Sequence, residues 1–369
     1  MTSAAACDAW AGGAPPASDV QTDETVLLFP VFAAPSAEGH DWIVEIHGWI
    51  YEPFGGVDGD SNPGVRETLF RRAVGVGDAS TGGEGSAAAA GESRVFRPRA
   101  ALFLADSERG KRIVVEIGGE LFALRSPSGP DGHFRDRIRL SRSRVAALGV
   151  LSSGRPAVAR VVLSPGDQRA FQGDVHFLGA EGLSIVSDID DTVKISHVRD
   201  KGELLANTFL REFRPVPGMA ELYARACRAP GTTVHYVSAG PWQLYPPLEA
   251  FRRDTGLPAG TWHLRAFRWK DERVLNLFAA PHAHKTAAIE SLLTAAPHRK
   301  LVLVGDSGEH DPEIYGDLAR RHKGRIVRIL IRNVTGEPAE SPRYRAAFRE
   351  VPGERWQVFE MADEVAWSP

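Results

Sequence analysis

Two aspartates stand two residues apart where an apolar run ends, in Leu183-Ser-Ile-Val-Ser-Asp188-Ile-Asp190-Asp191-Thr192. Leu183, Ile185 and Val186 predict a short buried strand. Asp188 and Asp190 then fall at its carboxyl end, outside which open α/β sheets bind their ligands. Carboxylates so close repel each other unless a cation lies between them. The pair therefore predicts a divalent metal, and a nucleophile working beside an acid/base.

Three more polar groups follow apolar runs in the same manner. Thr233-Val-His-Tyr-Val237 leads into Ser238-Ala-Gly240. Lys285 opens a helical segment that runs to Leu293. Leu301-Val-Leu-Val304 leads into Gly305-Asp306, with Asp311 five residues on. The gaps between Asp188, Ser238 and Lys285 are each roughly 50 residues, and Asp306 follows about 20 later. Each gap holds at least one helix, as a crossover between parallel strands requires. The four sites are thus expected on one edge of one sheet. Read singly, each has a plainer meaning. Ser238 fits a turn or N-cap hydroxyl, Lys285 a solvated lysine, and Asp311 before Pro312 a helix N-cap.

Asp188-Ile-Asp190-Asp-Thr192 resembles the Asp-x-Asp-x-Thr motif of the haloacid dehalogenase (HAD) superfamily of phosphotransferases. Ser238-Ala-Gly-Pro-Trp242-Gln-Leu244, Trp262-His-Leu-Arg265 and Gly305-Asp-Ser-Gly-Glu-His-Asp-Pro-Glu-Ile-Tyr315 narrow the resemblance to the actin-patch-type phosphatidate phosphatase family. It covers about residues 181–334. Ala266 departs from the acidic residue found there in many members. The resemblance implies a phosphatase that forms an aspartyl-phosphate on Asp188. Asp190 would protonate the leaving alkoxide and then activate water. Ser238 and Lys285 would hold phosphoryl oxygens, and backbone amides after Asp188 would cradle another. Mg²⁺ would take Asp188 and Asp306 as carboxylate ligands, with the Asp190 carbonyl and water completing the shell, and Asp311 would ligate it or orient a metal-bound water. Thr192 would hold the loop, and Asp191 has no catalytic role in this reading.

The implied substrate is a phosphomonoester, phosphatidate first. A soluble phosphomonoester and a non-catalytic scaffold are the alternatives. Trp242, Tyr245, Trp262, Phe267, Trp269 and Phe278 fit either an apolar rim for acyl chains or, preferably, ordinary packing. Arg135, Arg137 and Arg139 would share one face of a strand. That stripe is a solvated face first, and a contact for anionic headgroups second. His282, His284 and His310 lack a fourth ligand at zinc spacing.

The formal net charge is −3, with little asymmetry between the two halves, which argues against a nucleic-acid binder. Two cysteines, Cys7 and Cys227, fit a reducing compartment. No stretch of about 18 apolar residues occurs, so a cytoplasmic protein touching membranes peripherally is expected.

The predicted organisation has four parts. Residues 1–24 form a disordered tail. Residues 25–180 form a β-rich, sandwich-like domain. Its expected strands are 25–32, 42–51, 95–104, 112–117, 120–124, 134–140 and 157–163, with an insertion over 51–93 whose low-complexity part lies near 78–93. Residues 181–334 form a HAD-like, Rossmannoid α/β domain. Its strands are expected at 183–187, 233–237, 300–304 and 325–331, and its helices at 219–228, 248–254, 285–295 and 311–322. Residues 335–369 form an extension packed on that domain, with an edge strand over 355–360 and a short helix over 361–367.

Overall fold

The computed structural model describes residues 17–55, 63–74, 87–267 and 281–367. The N-terminal half contributes one mixed sheet of nine strands. These are β1 (Thr25–Leu28), β2 (Val31–Pro35), β3 (Asp41–Glu52), β4 (Asp106–Ser107), β5 (Val114–Ile117), β6 (Glu120–Ala123), β7 (His133–Ser141), β8 (Ala157–Val161) and β9 (Gln172–Phe177). Helices α1 (Pro63–Ala73) and α2 (Ala87–Leu104) lie between β3 and β4, and short α3 (Arg142–Leu148) and α4 (Val150–Ser153) follow β7. Along β3 the burial alternates, so Trp42, Val44, Ile46 and Ile50 enter a core with Val115, Ile117, Phe134 and Leu140. All nine strands connect through backbone pairing into one sheet.

From β10 (Leu183–Ser187) the chain builds a second, wholly parallel sheet. In chain order the elements are α5 (Lys201–Phe209), α6 (Met219–Ala226), β11 (Thr233–Pro241), α7 (Tyr245–Asp254), β12 (Gly260–Arg265), α8 (Pro281–Ala295), β13 (Lys300–Asp306), α9 (Asp311–Arg321), β14 (Ile326–Arg332), α10 (Pro342–Ala347) and β15 (Trp356–Phe359). The strand order is β12-β11-β10-β13-β14-β15. The chain winds outward from β10 on one side, then crosses to β13 and winds outward on the other. The crevice between the carboxyl ends of β10 and β13 is therefore the switch point of the sheet. One apolar core joins the two halves, running from Phe29, Trp49 and Phe103 to Phe209, Trp242 and Trp262. The rings of Phe29 and Trp242 lie 4.0 Å apart at this junction.

Several expectations need correction. The 95–104 segment is the end of a helix, because Phe96, Ala100, Phe103 and Leu104 recur at helical spacing and are all buried. Residues 25–32 break into β1 and β2 at Pro30, which has no amide hydrogen for a ladder. Ser18 and Glu24, assigned to the tail, are buried, and Ser18 bonds Val114 and Val162 through backbone and side chain. The low-complexity segment lies outside the described residues as far as 86, but from Ala87 it is part of α2. The helix expected over 361–367 is a single 3₁₀ turn at Ala362–Glu364. Helix α8 begins at Pro281, so Lys285 lies a turn inside it.

Candidate active site

Asp188, Asp306 and Ser238 sit where β10, β13 and β11 reach the carboxyl edge of the sheet. Lys285 projects from α8, and Asp311 from the start of α9. The structure thus brings all of these predicted residues, with Asp190, to one end of one sheet.

Asp188 is 1% exposed. Its Oδ1 meets Lys285 Nζ at 2.8 Å, and its Oδ2 accepts a hydrogen bond from Thr192 Oγ1 at 3.0 Å. Lys285 also reaches Asp311 Oδ1 at 2.6 Å and Glu309 Oε2 at 2.8 Å. Burial and the neighbouring carboxylates push Asp188 well above its ordinary range, and Lys285 opposes them only in part. Asp306 is raised well above its range for the same reasons, burial first and then Asp311. Burial also raises Glu309. Burial would depress Lys285, but Asp188, Asp311 and Glu309 together raise it well above the usual lysine value. One ammonium thus serves more buried carboxylates than it can neutralise.

Asp311 is N1 of α9, with His310 at the cap position, so it is not the N-cap expected from Pro312. Its Oδ2 accepts a hydrogen bond from the Asp306 amide at 3.1 Å. Gly305 permits this approach, since a Cβ there would collide with the Asp311 carboxylate. Asp306 Oδ1 accepts from the Glu309 amide at 3.2 Å, but Asp306 Oδ2 is buried with no hydrogen-bond partner. Oxygens of Asp188, Asp306 and Glu309 all lie within 4.8 Å of one another. An orphaned buried carboxylate oxygen beside two more carboxylates fits a hard divalent cation with oxygen ligands. Glu309 was quoted inside the Gly305–Tyr315 motif without a role. Asp311 is expected to ligate the metal or orient a metal-bound water, and its two oxygens meet Lys285 and the Asp306 amide.

Asp190 occupies a separate corner. Its Oδ1 meets Lys194 Nζ and Ser196 Oγ, each at 2.7 Å, and its Oδ2 accepts from Ser238 Oγ at 3.2 Å. Burial alone would raise this carboxyl, but Lys194, Ser196 and Ser238 hold it below its ordinary range. Lys194 and Ser196 were not foreseen. The only sequence signal was a lone lysine inside the apolar run Val193-Lys-Ile195. Asp191 stands at φ 55°, and its side chain accepts from the amides of Ser196, His197 and Val198. It ties the loop that presents Lys194 and Ser196.

The aromatic segment packs inward. Trp242, Trp262 and Phe267 are buried and Tyr245 is partly so, while Trp269 and Phe278 lie outside the described residues. Arg137 and Arg139 are spent on Glu45 at 2.8 Å and Asp41 at 3.1 Å, which suits a solvated strand face.

Residues 183–333 match the family described as phosphatidate phosphatase APP1, catalytic domain. The resemblance read from the motifs is met over this segment. Over 173 residues the chain is 32% identical to an uncharacterized protein of Schizosaccharomyces pombe, which covers 46% of this chain and 28% of the relative. Over 170 residues it is 26% identical to phosphatidate phosphatase APP1 of Saccharomyces cerevisiae, which covers 45% of this chain and 28% of that protein. The match thus spans little more than a quarter of the length of either relative.

Proposed function

We propose that this chain is a phosphoric monoester hydrolase that converts phosphatidate to diacylglycerol and inorganic phosphate through an aspartyl-phosphate. The observation that carries this reading is the buried Asp188 carboxylate at the end of β10, held between Lys285 and Thr192 and next to the bare Asp306 Oδ2. The family match supports the same reaction class.

In the first step an Asp188 oxygen bonds to phosphorus as the ester P–O bond breaks, and the departing alkoxide takes a proton from Asp190. In the second, Asp190 takes a proton from water, whose oxygen attacks phosphorus and frees the Asp188 carboxylate and phosphate. The ionised Asp190 suits the second step directly. For the first it must carry a proton, which the negative charge of an entering phosphoryl group favours. Lys285 lies within reach of Asp188 and would draw in phosphoryl oxygens. Ser238 orients Asp190 through its hydroxyl. Asp188, Asp306 and Glu309 would hold Mg²⁺, with Asp311 setting Asp306 from behind. When bound, that cation supplies relief from repulsion between the carboxylates and the phosphoryl group.

No helix among the described residues is long and apolar enough to cross a membrane. A soluble phosphomonoester is the second reading. It is favoured by the burial of Trp242, Trp262 and Phe267, which leaves them unavailable as an acyl rim. Phosphate release from phosphatidate in micelles, with Mg²⁺ or EDTA, tests the first reading. Release from soluble esters with none from phosphatidate would favour the second.

A further inference from the structure

We propose that Arg99 and Phe213 are positioning residues for Asp190, through which helix α2 of the N-terminal half holds the group that protonates the leaving alkoxide. The proposal rests on the phosphatase reading and adds to it residues on either side of the motif-bearing loop, one of them outside the matched segment 183–333.

The chain of contacts begins at Asp190, whose Oδ1 meets Lys194 Nζ at 2.7 Å. Lys194 is 3% exposed. Its ammonium lies over the Phe213 ring, 4.9 Å from the centroid. The same ring carries the guanidinium of Arg99, 3.8 Å from the centroid. A ring face attracts cations electrostatically, more so where water is excluded. Arg99, buried in α2, also donates from Nη1 to the carbonyls of Thr208 at 2.7 Å and Arg211 at 2.8 Å. Those oxygens lie at the C-terminal end of α5, where a helix leaves carbonyls unpaired and favours a cation. Arg99 thereby pins the turn after α5, and that turn places Phe213 against Lys194. The chain then returns to the site loop, with Ile195 N donating to Arg214 O at 2.8 Å and Val216 N to Val193 O at 2.9 Å.

Lys194 is thus seated by Asp190 and Ser196 on one side and by Phe213 on another. Without the ring, the ammonium gains water and rotamer freedom, and the carboxylate loses its fixed direction. A group that must reach a leaving oxygen within hydrogen-bond distance is sensitive to such loosening.

The test uses Phe213→Leu, which keeps an apolar side chain, and Phe213→Tyr, which keeps the π-face. Each is assayed in the full chain on phosphatidate, whose alkoxide needs a proton, and on p-nitrophenyl phosphate, whose leaving group does not. The expectation for Phe213→Leu is a kcat/KM about tenfold lower on phosphatidate, on the scale of a desolvated cation–π contact. On the aryl ester kcat/KM, which reports the phosphorylation step before Asp190 activates water, should stay within about twofold. Phe213→Tyr should behave as wild type, and Arg99→Met should reproduce the split. Equal losses of kcat/KM on both esters, or none on either, would overturn the proposal. A wild type inactive on both esters would sink the phosphatase reading instead. A crystal structure of Phe213→Leu then decides the positioning claim independently. Loss of the Lys194–Asp190 contact supports it, and retention at 2.7 Å overturns it.

Discussion

Lys285 Nζ lies 2.8 Å from Asp188 Oδ1, and each side chain is 1% exposed. The lysine divides its charge among Asp188, Glu309 and Asp311, while Asp306 Oδ2 has no partner. The site is therefore short of positive charge and fits a bound cation.

Asp188→Asn should abolish turnover, by at least about 10³-fold, because an amide cannot displace the alkoxide. The fold should survive. Lys285 keeps two carboxylate partners, and one source of like-charge repulsion disappears. Circular dichroism and a phosphate-release assay on the same sample check both halves. A mutant with normal turnover would remove Asp188 from the mechanism.

Lys285→Met should destabilise the protein by about 3–5 kcal/mol, since it strips the cation from the buried Asp188 and Asp311 and the half-buried Glu309. Mg²⁺ should restore part of that loss. Urea unfolding with and without Mg²⁺ measures it, and a neutral effect in both buffers would show that the carboxylates are protonated already.

Asp306→Asn should weaken the cation site. In wild type, a cation at a hundredfold excess over its Kd stabilises by about 2.7 kcal/mol, seen as a rise in Tm. The variant should lose most of that rise. An unchanged Mg²⁺ titration would place the cation elsewhere.

Gly305→Ala should cost about 1–3 kcal/mol, the usual penalty for overpacking. The added methyl would drive Asp311 off the Asp306 amide and Lys285. Activity should fall with stability. Full activity would mean that Asp311 can shift without consequence.

The contribution of the site to the stability of the metal-free protein should fall as pH rises beyond the ordinary carboxylate range. Burial raises Asp188, Asp306 and Glu309 in the folded state. Their contribution is complete below the unfolded pKa and is lost as pH climbs through the folded one. Asp190, held low by Lys194, acts in the opposite sense and favours folding above the unfolded value. Lys285 is raised above the lysine range and titrates outside this window. Six histidines, His47, His133, His176, His235, His263 and His284, are lowered by burial and stabilise in the opposite sense as pH rises. The share of the site is therefore read as the difference between wild type and Asp306→Asn: in EDTA the Tm of the variant should gain on that of wild type as pH rises, and Mg²⁺ should reduce that gain. A wild-type Tm that gains on the variant as pH rises in EDTA would contradict the charge balance described.

The strand-end positions of Asp188, Ser238 and Asp306 were legible because each closes a short apolar run, and apolar runs with helix-length gaps specify parallel strands. Lys285 and Asp311 were placed by their order along the chain. The roles of Lys194, Ser196 and Glu309 were not legible, because they depend on how a loop folds back on itself. Asp191 organises that fold with a left-handed backbone and three amide contacts, which no periodicity reports. Arg99 was hidden for a different reason. The 95–104 run was read at strand period, whereas its buried residues follow helical spacing. Its tie to α5 spans about a hundred residues of sequence.

The most direct test is to find the phosphoryl group on the enzyme. Wild type and Asp190→Asn would be mixed with labelled p-nitrophenyl phosphate, whose leaving group needs no proton, and Mg²⁺, quenched in acid, and mapped by peptide mass spectrometry. A hydroxylamine-labile phosphoryl adduct on Asp188, accumulating in Asp190→Asn because water is no longer activated, is the predicted result. Phosphate release with no adduct in either protein, or an adduct on another residue, would contradict the account.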